Sequence, residues 1–307
     1  MTYGAPQQMG SLVSDPLASA TTAARPLLAI DRDKFRQNFN KRHFLLEHRL
    51  TGNALFALPR LIDLARDTAL TRPSDLYYDA GVTDVNEKWG QSPAAFPVDE
   101  TIKRIDTAGA WIALKGAEKD PAYAKLLDVC MSDILEVSGR DLERNMRRKE
   151  VIVFITSPNR LTTYHIDSEC NFLLQVEGTK QISIFRQDDR EVLPEEELEI
   201  FWTRNRNAPQ YKPHLQHHAD EITFGPGMGV HIPINAPHWV RNGNNISVAV
   251  SINYHSWASE RANIYRMNYF LRKLGVKPTP PFQSPTQDFI KRRAGAMAMT
   301  LRGKPYS

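Results

Sequence analysis

The sequence predicts a mainly β protein with flanking helices, and three observations predict it. Between Val151 and Tyr254, short runs of branched and aromatic residues recur, punctuated by Gly178, Gly225, Gly227 and Asn242-Gly243-Asn244. That spacing suits a barrel or a sandwich. On either side of this region the apolar residues recur at helical intervals instead. No uninterrupted apolar run approaches the roughly 20 residues that cross a bilayer. At 307 residues, 41% hydrophobic and 24% charged, the chain can bury a sizeable core in one large domain or two modest ones, with the composition of a soluble globular protein.

Residues 1–25 are rich in Ala, Ser, Thr, Gly and Pro and read as a disordered leader. They carry no basic segment followed by an apolar core, so they do not read as a secretory signal and a cytoplasmic location is expected. Cys130 and Cys170 are the two cysteines, too few for a disulfide framework and in keeping with a reducing compartment. Residues 31–50 and 54–66 carry helical spacing, separated by Thr51-Gly52-Asn53. This places His43 and His48 on a helix. Residues 75–79 and 111–114 read as strands, with a helix over 98–107 between them. Pro121 to Ser138 opens on a proline suited to a helix start, and Leu126, Leu127, Val129, Cys130, Ile134 and Leu135 give it a broad apolar face.

At Val151 the pattern turns to sheet. Residues 151–156 form a near-continuous apolar run, typical of a strand buried on both faces, and 171–176, 181–185, 221–224, 229–234 and 246–254 continue the series. Residues 195–202 read as an inserted helix whose Glu195-Glu196-Glu197 run is a solvated face, and 204–219 as a long loop. Helical spacing returns over 256–274, with Gly275 as a stop, and a last helix covers 287–301. These two helices either cover the barrel or form a homodimer contact. The domain division expected is therefore a leader over 1–25, a helical and mixed part over 26–150 packing on a barrel core over 151–255, and C-terminal helices over 256–307.

The net charge is +4. Much of the excess lies in Arg272, Lys273, Lys277, Lys291, Arg292, Arg293, Arg302 and Lys304, which read as a solvated basic tail. No zinc-finger spacing or aromatic RNA-binding motif accompanies it, so specific nucleic-acid binding is not expected.

The chemistry centres on Thr162-Thr163-Tyr164-His165-Ile166-Asp167 and, much later, Pro237-His238-Trp239. On an extended strand His165 and Asp167 project from one face. A further histidine from a distant strand would complete two imidazoles and one carboxylate on one side of a metal, a set that suits non-heme Fe(II) and leaves positions open for substrate and oxygen. A His-x-Asp triplet alone is weak, because a strand histidine often only hydrogen-bonds inside a core.

The surroundings add to it. Leu161-Thr162, His165-Ile166-Asp167, Asn171-Phe172 and Gly178-Thr179-Lys180 resemble the Jumonji-C, cupin-like oxygenases, most of all the branch of the factor-inhibiting asparaginyl hydroxylase. In that branch a threonine precedes the first histidine by three positions, an asparagine follows it by six and a lysine by fifteen. Thr162, Asn171 and Lys180 stand at those offsets. Ile232-Pro233-Ile234-Asn235-Ala236-Pro237-His238-Trp239 resembles the family's entry to the second histidine strand, with the histidine five after the proline, which selects His238 over His231. Asn253 stands fifteen beyond it, as the family's asparagine does. Two departures stand out: Gly227-Met228-Gly229 replaces the Gly-Asp of many relatives, and no counterpart is placed for the tyrosine that helps hold 2-oxoglutarate in the asparaginyl hydroxylase.

The resemblance implies a double-stranded β-helix, the jelly-roll or cupin-like barrel. It implies Fe(II) on His165, Asp167 and His238. It also implies 2-oxoglutarate held by Thr162 and Lys180, with Asn171 and Asn253 fixing the oxo acid or the ligand carboxylate. The activity implied is hydroxylation of a C–H bond of a protein, peptide or small amino-acid-like substrate with O2, releasing succinate and CO2; N-methyl demethylation is the variant of the same chemistry. The alternative is a cupin-type metalloenzyme or metal-binding protein that does not use 2-oxoglutarate, against which Lys180 with Thr162 argues. His214, His217 and His218 lack cysteine partners and read as solvated loop histidines. Tyr77, Tyr78, Trp89 and Trp111 read as core rather than as the wall of a cleft.

Overall fold

The computed structural model describes residues 25–81, 84–88, 96–138, 142, 146–256 and 258–301. The expected leader, apart from Arg25, and Trp89 lie outside them. The N-terminal part runs β1 (Leu28–Ala29), α1 (Arg32–Asn38), β2 (Phe44–His48), α2 (Leu58–Thr71), β3 (Leu76–Ala80), α3 (Val98–Lys103), β4 (Ala110–Leu114) and α4 (Pro121–Ser138). Next come β5 (Met146–Thr156), β6 (Leu161–His165), β7 (Cys170–Glu177), β8 (Lys180–Ile184), α5 (Glu195–Thr203), β9 (Asp220–Phe224), β10 (Met228–Ile232), β11 (His238–Asn242) and β12 (Ser247–Ser256). Two helices follow, α6 (Ala258–Lys273) and α7 (Pro285–Leu301).

The strands form two antiparallel sheets. One has eight strands in the order β1-β2-β10-β7-β12-β5-β4-β3, the other four in the order β6-β11-β8-β9. The larger sheet is apolar on both faces, which is why its central strands read as continuous hydrophobic runs. Its Leu173, Val230, Ile232 and Ala249 meet Ile182, Ile184 and Val240 of the smaller sheet. On its other side Phe172, Leu174, Val153, Val250 and Ile252 join the buried stripes of α2 and α4 in one continuous cluster. Each such fully buried aliphatic or aromatic side chain contributes roughly 1.5–3 kcal/mol by its removal from water. In α4 the buried stripe is Tyr123, Leu126, Leu127, Cys130, Met131 and Ile134, the helical period read from the sequence.

One N-terminal expectation fails. Residues 31–50 do not form a helix: α1 stops at Asn38, Asn40 takes a left-handed conformation (φ 53°), and Phe44–His48 becomes a strand between β1 and β10. Phe44, Leu46 and His48 are buried while Leu45 and Glu47 are exposed, so the period is 2, and the helical matches further upstream masked it. His48 consequently lies on a strand, with Nε2 2.9 Å from Gln175 O and Nδ1 accepting from Leu50 N–H at 3.1 Å.

The charged helix faces also do more than meet water. Glu197 pairs with Lys212 (3.0 Å), and Glu195 pairs with Arg190. Arg272 of α6 holds the buried Glu199 through two contacts of 2.9 Å and reaches Glu196 at 2.9 Å. Lys291 is buried, its ammonium donating to Thr279 O at 2.7 Å. Two residues of the expected basic tail are therefore structural; Arg302 and Lys304 lie outside the described residues.

His231 of β10 is fully buried, stacked on Phe39 (5.1 Å) and tilted against Phe44 and Phe172 (both 4.8 Å). Its Nδ1 donates to Asn171 O (3.1 Å), and its Nε2 accepts from Asn40 N–H (3.2 Å). Both nitrogens are used by the neutral ring. Burial pushes its pKa down to about 3, so between that value and 6.5 the unfolded chain binds the extra proton and the folded one does not. Stability therefore falls as pH drops below about 6.5, by up to roughly 1.4 kcal/mol per pH unit for this group. Denaturant midpoints between pH 7 and 4 should show this slope, and His231→Phe should remove its share.

Candidate metal centre and its cavity

β11 lies between β6 and β8, and its inward residues set the site. His238 stands opposite His165 on one side and Ile184 on the other; Val240 opposite Thr162 and Ile182; Asn242 opposite Lys180. Two steps along β11, from His238 to Val240, match three along β6, from His165 to Thr162. This is a bulge in β6. Residues three apart on a regular strand face opposite sides; the extra residue restores the phase, so Thr162 and His165 both line one cavity.

Asp167 reaches the same place by another route than the one expected. β6 ends at His165, and Asp167 lies in the connection to β7, its carbonyl accepting from Asn235 N–H at 2.9 Å. Asn235 itself takes a left-handed conformation (φ 63°) just before the β11 histidine, a setting asparagine tolerates better than most residues.

The donor atoms of His165, Asp167 and His238 lie within 4.8 Å of one another, and among the described residues no other group of three His, Cys, Asp or Glu does so. Asp167 Oδ1 is 3.8 Å from His165 Nε2 and Oδ2 is 3.8 Å from His238 Nε2, too long for hydrogen bonds. His165 Nδ1 meets Thr163 O at 2.7 Å and His238 Nδ1 meets Ala236 O at 2.9 Å. A carbonyl only accepts, so each ring carries its proton on Nδ1 and turns the lone pair of Nε2 toward the carboxylate. Burial pushes the His238 pKa down to about 4, aided by the neighbouring His165, which keeps the ring neutral. Burial opposes the charge on Asp167 and the Asn171 amide favours it, as positive charge on either imidazole would; its pKa lies below the usual carboxylate range. Two neutral nitrogens and a carboxylate facing one another repel; a divalent cation between them removes the repulsion. The donor set fits a metal of the Fe(II) type.

Further polar groups fix the carboxylate. Asn171 Nδ2 approaches Asp167 Oδ2 at 3.4 Å, and Asn171 and Asn253 are cross-strand partners on β7 and β12. Ser251 Oγ lies against Asn171 Oδ1 and 2.9 Å from Asn253 Oδ1. A hydroxyl has one proton, so one contact is satisfied by turning the Asn253 amide to donate to Oγ.

The cavity between the sheets has a volume of about 470 Å³, and all seven expected site residues line it: Thr162, His165, Asp167, Asn171, Lys180, His238 and Asn253. Lys180 is 6% exposed, and its ammonium has no hydrogen-bond or ion-pair partner among the described residues. Burial alone pulls its pKa down to about 8. Register places Lys180 four residues from the His238–Ile184 level, about 13 Å along the strand, so it marks the end of the cavity away from His165, Asp167 and His238.

Some cavity residues were read otherwise from the sequence. Tyr77 and Trp111, expected in the core, line the cavity, as do Lys115, Glu169, Arg206 and Asn207; no motif singled out the last four. Tyr78 instead donates to Phe96 O (3.2 Å). His214 and His217 are exposed, and His218 lies 2.7 Å from Asp189; none of them lines the cavity.

No protein-family model and no curated protein sequence matches the chain. Solved structures do. A structure of YcfD from Escherichia coli aligns over 89% of this chain and 68% of its own, at 14% identity and a TM-score of 0.51. Another, described as YcfD, a ribosomal oxygenase from Escherichia coli in complex with cobalt and 2-oxoglutarate, aligns over 90% and 68%, at 14% identity and a TM-score of 0.50. The likeness is one of fold. The chain is built on a double-stranded β-helix, the jelly-roll of cupin-like proteins, with helices around it.

The donor set predicts divalent-cation binding. Titration of the metal-free protein with Co(II) should give one site, and Asp167→Ala should weaken it by more than about 100-fold, beyond what loss of an outer hydrogen-bonding partner costs.

Proposed function

We propose that the protein is a Jumonji-C-type oxygenase, dependent on Fe(II) and 2-oxoglutarate, that hydroxylates a C–H bond of a protein, peptide or amino-acid-like substrate. The observation that carries the reading is Lys180: a buried ammonium without a counter-ion among the described residues, at the far end of a cavity whose other end holds two imidazoles and a carboxylate. An uncompensated buried charge is costly, and a ligand that brings a carboxylate to it removes the cost. A 2-oxo acid with a second carboxylate has the matching shape, one end for a metal and one for a lysine. The offsets of Thr162, Asn171, Lys180 and Asn253 from the two histidines support the same reading, as does the fold shared with an oxygenase solved with cobalt and 2-oxoglutarate.

His165, Asp167 and His238 would hold the metal. With metal, oxo acid and O2 bound, the cofactor supplies the redox chemistry that turns R–H, 2-oxoglutarate and O2 into R–OH, succinate and CO2. The chain's own work is to bind, orient and exclude water. Lys180 pairs with the far carboxylate, and the Thr162 hydroxyl donates a hydrogen bond to it. Asn171 and Asn253 restrain the metal-holding carboxylate. Leu173, Ile232 and Val240 give the cavity an apolar lining. A cupin that binds metal without an oxo acid has no use for the charge on Lys180.

Anaerobic addition of 2-oxoglutarate to the Fe(II)-loaded protein should produce a weak visible absorption band, absent in His165→Ala. Because the ligand needs the protonated lysine and the free Lys180 loses its proton near pH 8, affinity read from the band should be level below that pH. Above it, affinity should fall by up to about ten-fold per unit. A metal-loaded protein with no such band, or with affinity that does not weaken above pH 8, contradicts the reading.

A further inference from the structure

Beyond the seven site residues, the polar side chains lining the cavity are Tyr77, Lys115, Ser168, Glu169, Arg206 and Asn207. The charged ones gather at the metal end. Lys115 follows Leu114, which pairs with Val153, and its charge acts on Asp167. Arg206 acts on His255, and with Asn207 and His165 it also lines a narrow cleft that continues past Tyr164 and Tyr211.

Their partners decide what this mouth can bind. Glu169 already faces His255 at 3.6 Å. The Lys115 ammonium, the Arg206 guanidinium and the Asn207 carboxamide have no side-chain hydrogen-bond or ion-pair partner among the described residues. Glu150 lies in the field of Lys115 but outside ion-pair distance, held by the Gly116 N–H; Glu118 is occupied by Val151 N–H at 2.8 Å. Both cations are propped on aromatic faces instead: Lys115 Nζ 4.9 Å from the Tyr77 ring centre, and the Arg206 guanidinium 4.8 Å from Phe201 and 5.7 Å from Trp202. Such contacts hold a cation in place without neutralising it. Lysine offers three donors, arginine five and the asparagine amide two, against the amide oxygen and the Tyr77 and Ser168 hydroxyls as acceptors. The unpartnered groups at the mouth are rich in donors and poor in acceptors, so a complementary ligand must bring acceptors and negative charge.

We infer that the primary substrate carries a carboxylate, gripped at the mouth by Arg206 and Lys115 with Asn207 completing its hydrogen bonds. This rests on the oxygenase reading and narrows its substrate to acidic ones. The carboxylate is that of a free acidic amino acid or of an Asp or Glu side chain in a peptide. Arginine is suited to this task because its planar fork meets both carboxylate oxygens.

The test uses the full-length protein loaded with Fe(II), once its binding of 2-oxoglutarate has been measured. Succinate release is followed with L-aspartate, L-glutamate, acetylated Asp- or Glu-containing peptides, and the Asn, Gln, Lys and Arg counterparts of each. Binding of the same panel to the Co(II)-loaded protein is read by ligand-observed NMR. Acidic members should bind and stimulate succinate release at least about ten-fold better than their amides, the worth of one charge-assisted hydrogen bond. Arg206→Gln and Lys115→Gln should each raise the KM for the acidic member by about that factor while leaving 2-oxoglutarate affinity unchanged. Stimulation by free amino acids, or by peptides alone, identifies the source of the carboxylate. Equal response to amides or cationic members overturns the inference, as does an acidic panel that binds no better than the amides, or variants with unaltered KM. Failure to bind 2-oxoglutarate at the outset counts against the oxygenase reading instead.

Discussion

The antiparallel register of β11 between β6 and β8 is the constraint on which the rest of the site depends. It sets His238 opposite His165 and Asn242 opposite Lys180, and so fixes both ends of the cavity from one strand. Because side chains alternate along a strand, a one-residue slip would send His238, Val240 and Asn242 to the outer face and bring Trp239 and Arg241 inward. The apolar pattern resists the slip: Val240 and Ile182 face the larger sheet, while Trp239 packs outside with Tyr164, Phe185 and Val192. The bulge in β6 is the second half of the device. It lets a threonine three residues before a histidine share its cavity, which uninterrupted pleating forbids.

Lys180 shows where the fold gives up stability. It is buried with no counter-charge among the described residues, at the end of a strand whose other inward residues, Ile182 and Ile184, are core. A hydrophobic residue there would suit the empty protein better. Retaining an ammonium makes sense when an anion completes the site. Its opposite number is the group of His165, Asp167 and His238, where three electron-rich donors face each other. On the proposed reading the two ends have complementary deficits, and a single dicarboxylic 2-oxo acid plus a cation would answer both.

Much of this was legible in the sequence, and the exceptions have physical causes. The helix from Pro121 to Ser138 and the strands from 151 to 254 were readable because each repeats one period over enough residues. His165, His238, Thr162, Asn171, Lys180 and Asn253 were picked out by offsets, and all six line the one cavity. The strand Phe44–His48 was not: five residues of alternation were outweighed by the helical spacing before them. Asp167 was placed on a strand by its i+2 spacing, though the chain leaves the sheet at His165; its side chain arrives through a loop tied to Asn235. Lys115, Arg206 and Asn207 carried no signal, because surface-type residues in loops become a cavity mouth only when distant segments meet. Arg272 and Lys291 looked like solvated charge for the same reason, their partners being 73 and 12 residues away.

On the proposed reading the cavity holds a metal at one end and recognises a second carboxylate at the other. Titration calorimetry on the Co(II)-loaded protein tests this recognition most directly, comparing 2-oxoglutarate with 2-oxobutanoate, which has the same 2-oxo acid head but no far carboxylate. The wild type should prefer 2-oxoglutarate by at least about ten-fold, and Lys180→Met should bind the two alike. Equal binding of both acids by the wild type, or a preference that survives in Lys180→Met, would contradict it.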